Sequence, residues 1–284
     1  MRTILLALLF ALAAFAGAGS PGQTAVGSPA RVVSQTVGTD ELLLALAAPG
    51  QIAALSHLAR DPRYSPCAAA AREHPCLRTG QAEDILRFRP DLVLVASYTL
   101  PETLALLRRA KVPLLLVDHF DTLEDLYGNA RRLGAALGRQ ARTEELVKGW
   151  QDRVRALDAR LKGCVPVRVL AVGAAPYTAG AGTTFQDLCD HAGALNVAAE
   201  AGLKGHAPTP SEQVLTWKVD VLVLAGEGGD LRTRLGTLAP YKFMPAFRQG
   251  RVVQLPFALL GATSQARLDA YEQLARALHP EAFR

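Results

Sequence analysis

The chain has 284 residues, half of them hydrophobic and one fifth charged, with a formal net charge of +5 and a pI near 9.2. This length and composition predict one large or two medium globular domains with a substantial core. Lys and Arg are spread along the chain without a basic run or interleaved aromatic residues, which argues against nucleic-acid binding.

The first 18 residues have the pattern of a secretory signal peptide. Arg2 precedes a long apolar stretch, and Ala16-Gly17-Ala18 matches an A-x-A cleavage site. The apolar stretch is short for a membrane span, which needs about 20 apolar residues. A transmembrane anchor is the alternative. We expect a periplasmic protein that begins with a flexible lead-in, residues 19–30, rich in Gly, Ser, Pro and Thr.

Residues 31–138 are predicted to form an N-terminal α/β lobe. "RVVSQ", "IAALS", "DLVLVA" and "PLLLVD" are predicted strands, and "DELLLALA" and "PETLALLRRAK" are predicted helices between them. Continuous apolar runs that alternate with helical segments are typical of buried parallel strands in βαβ units.

Residues 139–163 are predicted to form one long connecting helix. Apolar side chains recur there at spacings of three and four, which places them on one helix face: Leu146, Val147, Trp150, Val154, Leu157 and Leu161. Gly163 is a plausible helix stop. A stiff helix would therefore join the lobes.

Residues 164–284 repeat the alternation, with strands "VRVLAVG", "DVLVLAG" and "RVVQLP" and a final amphipathic helix, "SQARLDAYEQLARAL". The predicted fold class is α/β, with two Rossmann-like lobes joined by one long helix and a ligand cleft between the lobes.

Export of the chain would allow its four cysteines to form disulfides, because disulfides persist in oxidising compartments. Cys67 and Cys76 flank a short loop and are predicted to form a disulfide. Cys164 and Cys189 are either a second pair or two free thiols. The spacings do not match a zinc ribbon.

One phrase occurs once in each predicted lobe. "AEDILRFRPDLVLVA" begins at Ala82, and "SEQVLTWKVDVLVLA" begins at Ser211. Each copy places a glutamate at its second position and ends in a predicted strand. The repeat indicates two related lobes, although chance reuse of a common helix-to-strand transition is the alternative.

These segments, together with "TDELLLALAAPGQIAALSHL" and "YTAGAGTTFQDLCDHAGALNVAAEAGL", carry a family resemblance. The mature chain resembles periplasmic substrate-binding proteins of ABC importers, in the group whose two lobes are linked by a single helix. That group carries cobalamin, ferric siderophores or haem. The resemblance implies a monomeric binding protein and not an enzyme. It would have no cofactor of its own, and its partners would be an inner-membrane permease and its ATPase.

The resemblance gives the repeated glutamates a role. Glu83 and Glu212 fall where such proteins carry one surface carboxylate on each lobe that pairs with permease arginines. The alternative is that each is an ordinary acidic residue in the first turn of a helix, favoured there by the helix dipole.

Candidate ligand-binding residues follow the predicted strands, because ligands in open α/β sheets bind beyond the carboxyl ends of the strands. His57, Tyr98 and Tyr177 occupy such positions. His206 lies in a loop where the family often has an aromatic residue, and we expect it to face His57 across one cleft. Either histidine is alternatively an ordinary loop residue. Weaker candidates are Tyr64, Thr99, Thr178, Phe257 and the pair Asp118-His119.

Two other classes of function are weighed against a chelate binder. The chain has no G-x-S-x-G, Walker or H-E-x-x-H motif. A secreted enzyme acting on a tetrapyrrole would need an acid–base pair, and the adjacent Asp118 and His119 would point apart on a strand. A bare metal ion would need convergent ligands from His57, His119, His206 and Asp118. Tyrosines among the candidates favour a metal chelate, with a slight preference for a tetrapyrrole.

Overall fold

The computed structural model describes residues 28–173, 177–210, 212–226, 233, 235–238 and 240–284. The predicted signal peptide, residues 1–18, lies outside the described residues, as does most of the lead-in. Within the described ranges, no helix combines the length and apolar character that crossing a membrane requires.

The N-terminal lobe contains a four-stranded parallel sheet of order β2-β1-β3-β4. Its strands are β1 (Val32–Ser34), β2 (Ile52–Ala54), β3 (Leu92–Ala96) and β4 (Leu114–Val117). Its helices are α1 (Val37–Leu46), α2 (Ala68–Ala71), α3 (Ala82–Leu86), α4 (Pro101–Arg109) and α5 (Leu123–Ala136). All five residues of β3 are buried, as its continuous apolar run predicts for a central parallel strand.

Helix α6 (Gln140–Leu161) joins the lobes. The predicted apolar stripe faces the core, since its four central residues are buried: Val147, Trp150, Val154 and Leu157. Gly163 follows the helix with a φ of +88°, a left-handed conformation that glycine adopts without strain.

The C-terminal lobe contains a second four-stranded parallel sheet, of order β10-β9-β5-β7, and a two-stranded ribbon of β6 and β8. Its strands are β5 (Val167–Val172), β6 (Tyr177–Ala179), β7 (Ala194–Asn196), β8 (His206–Pro208), β9 (Val221–Ala225) and β10 (Val252–Leu255). Its helices are α7 (Thr184–His191), α8 (Val197–Glu200), α9 (Pro245–Arg248), α10 (Phe257–Leu260) and α11 (Arg267–Leu278). Short 3₁₀ turns cover Gln213–Thr216, Tyr241–Phe243 and Pro280–Phe283.

The two four-stranded sheets have the same strand order. Counted within each four-stranded sheet, the first strand lies between the second and the third, and the fourth strand lies beyond the third. The repeated phrase leads into β3 in one lobe and β9 in the other, and these strands occupy equivalent positions. It enters β3 through α3, but it enters β9 through the 3₁₀ turn Gln213–Thr216. The predicted fold of two related α/β lobes is confirmed, whereas β6, β7 and β8 were not predicted.

The disulfide predicted between Cys67 and Cys76 is not present in the structure, where all four cysteines are free thiols. Cys67 precedes the first turn of α2, and the Sγ atom of Cys76 approaches the carbonyl oxygen of His74 at 4.0 Å. Burial raises the pKa of the Cys67 thiol to about 11, which makes it a poor nucleophile near neutral pH.

A buried polar network ties the two lobes together beside α6. Asp187 in α7 pairs with Arg267 in α11 at 3.2 Å and accepts a hydrogen bond from the hydroxyl of Tyr271. Its other oxygen accepts a 2.8 Å hydrogen bond from the backbone N–H of Leu123, the first residue of α5 in the opposite lobe. Asp187 therefore satisfies one of the free N–H groups at the start of that helix. Arg267 also crosses the boundary, since it donates to the carbonyl of Phe120 at 2.6 Å.

A second connection joins α1 to the segment between α10 and α11. The carboxylate of Glu41 accepts hydrogen bonds from Ser65 in its own lobe and from Ser264 in the other. The side chain of Gln265 donates to the Glu41 carbonyl at 3.0 Å. Gly38 makes this approach possible, because a Cβ there would overlap the hydroxyl of Thr263. The lobes are thus in close contact at Gly38 and at Glu41.

Replacing Arg267 with Met should destabilise the protein strongly, because Asp187 would lose its buried cationic partner. The expected loss is about 3–5 kcal/mol in the free energy of unfolding, measured by urea denaturation. Arg153→Met is the matched control. Arg153 pairs with Asp269 and Glu272 but is 42% exposed, so its loss should be below about 1 kcal/mol. Equal losses in the two variants would contradict the structural role of Arg267.

Asp40 should make folding less favourable as pH rises. Burial raises the pKa of Asp40 to about 7, although hydrogen bonds from Ser56 oppose the shift. Between its unfolded pKa near 3.8 and its folded pKa, the folded state holds a proton that the unfolded state has lost. The stability difference between the wild type and Asp40→Asn should therefore fall by up to about 1.4 kcal/mol per pH unit in that window. Urea titrations of both proteins at several pH values measure this difference in the free energy of unfolding. A difference that rises with pH would contradict the raised pKa of Asp40.

Candidate ligand-binding cleft

A cavity of about 400 Å³ opens between the lobes. Val172 and Ala225, the last residues of β5 and β9, form part of its floor, so the cavity lies at the carboxyl ends of the C-terminal sheet. The N-terminal lobe contributes Phe120 and Asp121. The position agrees with the general placement of ligand sites in open α/β sheets.

The β6–β8 ribbon positions two predicted site residues in this cavity. Tyr177 pairs with Pro208 and Ala179 pairs with His206 in the antiparallel ladder. Because residues two apart in a strand point to the same face, Tyr177 and His206 project from one face of the ribbon. Both line the cavity, and Tyr177 is half exposed. An aromatic ring and an imidazole are therefore presented side by side.

Thr178 also lines the cavity, with its side chain almost completely buried. Its hydroxyl oxygen has no hydrogen-bond partner in the structure. Thr178 lies between Tyr177 and Ala179 in β6, so its side chain points to the face of the ribbon opposite Tyr177 and His206.

A second pocket, of about 340 Å³, adjoins the first at Phe257 and is lined by Arg63, Tyr64, Gly226 and Phe257. Tyr64 from the N-terminal lobe and Phe257 from the C-terminal lobe make an edge-to-face contact, with ring centroids 5.7 Å apart. Phe257 remains 54% exposed. The guanidinium of Arg63 lies over the Tyr64 ring at 5.6 Å and pairs with Asp61 at 2.6 Å. Aromatic side chains from both lobes thus line this pocket, and the cation of Arg63 lies at its rim.

Asp121 is the acidic group of the cleft. Burial raises the pKa of Asp121, and the neighbouring Asp125 raises it further, while positive charge on Arg267, His206 and His119 opposes these effects. His119 and His206 belong to opposite lobes, and both influence the same carboxylate.

Other predicted residues lie beside the cavity or have structural partners. Tyr98 contacts Phe120 edge to face, with centroids 5.8 Å apart, so it supports a residue that lines the cavity. Thr99 is buried, and its hydroxyl donates to Gln35 at 2.6 Å, which fixes the turn after β3. Phe120 and Asp121 were not predicted, although they directly follow the predicted strand end at Asp118-His119.

His57 is exposed and lies near Gly80 and Gln35, at the carboxyl ends of the N-terminal strands. It is not among the residues that line either pocket. Asp118 pairs with Arg132 at 3.5 Å. Among the described residues, the groups that could hold a metal ion do not include His57, His119, His206 or Asp118. The ligand set considered for a bare metal ion is therefore not assembled in the structure.

Glu83 and Glu212 are both exposed. Glu83 is in the first turn of α3, and Glu212 directly precedes the 3₁₀ turn Gln213–Thr216. Among the described residues, neither side chain forms an ion pair. Glu83 in the N-terminal lobe and Glu212 in the C-terminal lobe are thus free surface carboxylates, and neither lines the cleft.

Comparison with protein families identifies the class. The model of the periplasmic binding protein family matches residues 32–259, which include α6 and both four-stranded sheets. The chain belongs to this family. The class predicted from the repeated phrase and the connecting helix is therefore confirmed. A comparison with curated protein sequences gave no match.

Solved structures show the same fold. The periplasmic haem-binding protein RhuT from Roseiflexus sp. RS-1 is 26% identical, with a TM-score of 0.77 over 89% of this chain and 98% of that chain. A periplasmic haem-binding protein from Pseudomonas aeruginosa is also 26% identical, with a TM-score of 0.76 over 89% and 93% of the two chains. The vitamin B12-binding protein BtuF of Vibrio cholerae is 19% identical, with a TM-score of 0.70 over 90% and 99%, and supports the fold alone.

Proposed function

We propose that this protein captures a metal chelate in the periplasm and delivers it to an ABC importer in the inner membrane. The observation that carries the proposal is the inter-lobe cleft, where Tyr177, His206 and Phe257 line one pocket and Tyr64 and Phe257 line the adjoining one. This arrangement offers flat apolar faces together with groups that can hydrogen-bond or ligate a metal. The protein would bind its ligand without turnover.

Among chelates, the cleft favours a tetrapyrrole. Aromatic rings at Tyr64, Tyr177 and Phe257 suit a large flat ligand, and Arg63 at the rim suits an acidic substituent. The names of the two 26% identical structures, both haem-binding proteins, support haem as the first candidate. Cobalamin and ferric siderophores are the other candidates. A bare ion has less support, because the histidines considered for it do not converge.

The repeated glutamates would serve the partner and not the ligand. We propose that Glu83 and Glu212 pair with arginines on the permease, one from each lobe. Their exposure and their position outside the cleft support this role, since charges at the rim of an interface mainly steer the encounter of two proteins. The signal peptide predicted at residues 1–18 would place the protein where such a partner is accessible.

Haem should bind the mature protein with a change in its absorbance spectrum and a rise in thermal stability. At 100 times the dissociation constant, one bound ligand stabilises the folded state by about 2.7 kcal/mol. Tyr177→Ala and His206→Ala should each weaken binding about tenfold or more, since an aromatic contact contributes about 0.5–1.5 kcal/mol beyond its buried area. His74→Ala, which lies away from both pockets, is the control. A screen in which cobalamin or a ferric siderophore stabilises the protein and haem does not would reassign the ligand.

Replacing both Glu83 and Glu212 with Lys should leave ligand affinity unchanged and weaken association with the reconstituted permease by about tenfold or more, mainly through slower encounter. The loss should be greater at low salt, because exposed charges are screened over about 8 Å at physiological ionic strength. The matched control is Glu102→Lys with Glu124→Lys, two exposed glutamates in the first turns of α4 and α5. Normal docking by the Glu83/Glu212 variant would contradict the proposed role.

A further inference from the structure

A group of three metal-ligating side chains lies outside the cleft. Cys164 follows the end of α6, His279 directly follows α11, and Glu281 belongs to the 3₁₀ turn Pro280–Phe283. The ligand atoms of these three side chains all lie within 4.8 Å of one another. Among the described residues, this is the one such group of three.

The hydrogen bonding of His279 prepares it to act as a ligand. Its Nε2 atom lies 2.8 Å from the carbonyl oxygen of Gly193, so Nε2 carries the proton and donates it. The other ring nitrogen, Nδ1, lies on the side of Glu281, whose Oε1 is 3.7 Å away, too far for a hydrogen bond. A histidine that donates one ring N–H to a backbone carbonyl and offers its other nitrogen is the usual arrangement at a metal.

The surrounding chain holds this geometry in place. His279 is 2% exposed. Gly193, with a φ of +68°, admits the imidazole to its carbonyl, because a Cβ at that position would lie 2.7 Å from Nε2. The guanidinium groups of Arg276 and Arg160 both lie over the ring of Phe283, at 4.5 Å and 5.7 Å from its centroid. The turn that carries Glu281 is therefore fixed against both α6 and α11.

We propose that Cys164, His279 and Glu281 form a binding site for a divalent metal ion of the zinc type. A thiolate, an imidazole and a carboxylate are the zinc ligands found in proteins, and with metal–ligand distances of about 2.0–2.3 Å they lie roughly 3.5 Å apart around a tetrahedral ion. The separation of His279 and Glu281 already matches. Glu281 is 61% exposed, so it can adjust, and water completes the fourth position.

The proposed metal site differs from the proposed ligand-binding cleft in both position and role. Gly193 directly precedes β7, so the group lies at the amino ends of the C-terminal strands, whereas the cleft lies at their carboxyl ends. A metal ion there would fasten the last turn of the chain to the end of α6, the helix that joins the lobes. The proposal does not depend on which ligand the cleft carries.

Titration of the metal-stripped mature protein with Co²⁺ tests the proposal, because a cobalt–thiolate bond produces a charge-transfer absorption band. One equivalent of Co²⁺ should produce the band, and added Zn²⁺ should remove the band by displacing Co²⁺. Cys164→Ser should remove the band. It should also weaken Co²⁺ affinity by more than ~10–100-fold, the loss caused by removing a residue that only hydrogen-bonds to a metal ligand. Glu281→Gln should weaken binding while the band remains. Cys76→Ser, at another partly buried free cysteine, should retain both the band and the affinity.

A second measurement avoids substitution. Peptide mapping can follow the alkylation rate of each cysteine in the wild-type protein. Zn²⁺ should slow the alkylation of Cys164 and leave the alkylation rates of Cys67 and Cys76 unchanged. The His57→Ala/His206→Ala double variant should behave like the wild type in both experiments. The proposal is wrong if Co²⁺ gives no charge-transfer band, if the band survives in Cys164→Ser, or if Zn²⁺ leaves Cys164 as reactive as before.

Discussion

The cleft depends on one buried contact between the lobes, the carboxylate of Asp187 between Arg267 and the start of α5. Asp187 accepts from the first N–H of α5, and Arg267 holds the carbonyl of Phe120. Phe120 and Asp121 directly precede that helix and line the cavity. The network that joins the lobes therefore also fixes the N-terminal wall of the site, and a buried pair of this kind tolerates the loss of neither partner.

Rigid attachment of the lobes has a consequence for recognition. The Glu41–Ser264 hydrogen bond and the contact of Gly38 with Thr263 add a second connection beside α6. A cleft held at nearly constant width selects ligands by shape, because little binding energy is spent on ordering the protein. It also presents Glu83 and Glu212 at a nearly fixed separation. We therefore expect small lobe movements on binding and not wide hinge closure.

The sequence predicted the repeated architecture well, because continuous apolar strands and the stripe on α6 are local patterns. Tyr177, a candidate because it follows a predicted strand, lines the cavity, and the same reasoning taken one residue beyond His119 would have included Phe120. The pairing of Asp187 with Arg267 could not be predicted, since 80 residues separate them and no local pattern links them. The β6–β8 ribbon was missed because Tyr177–Ala179 and His206–Pro208 contain no continuous apolar run. The Cys67–Cys76 disulfide rested on spacing, which does not fix the direction of a thiol.

The decisive measurement is a pair of crystal structures of the mature protein, with and without haem. We expect one haem between the lobes, in contact with Tyr177, His206 and Phe257. We also expect Asp187, Arg267 and the Leu123 N–H to be joined identically in both structures. Haem bound outside the inter-lobe cleft, or a large rotation of the lobes that breaks the Asp187 network, would contradict these expectations.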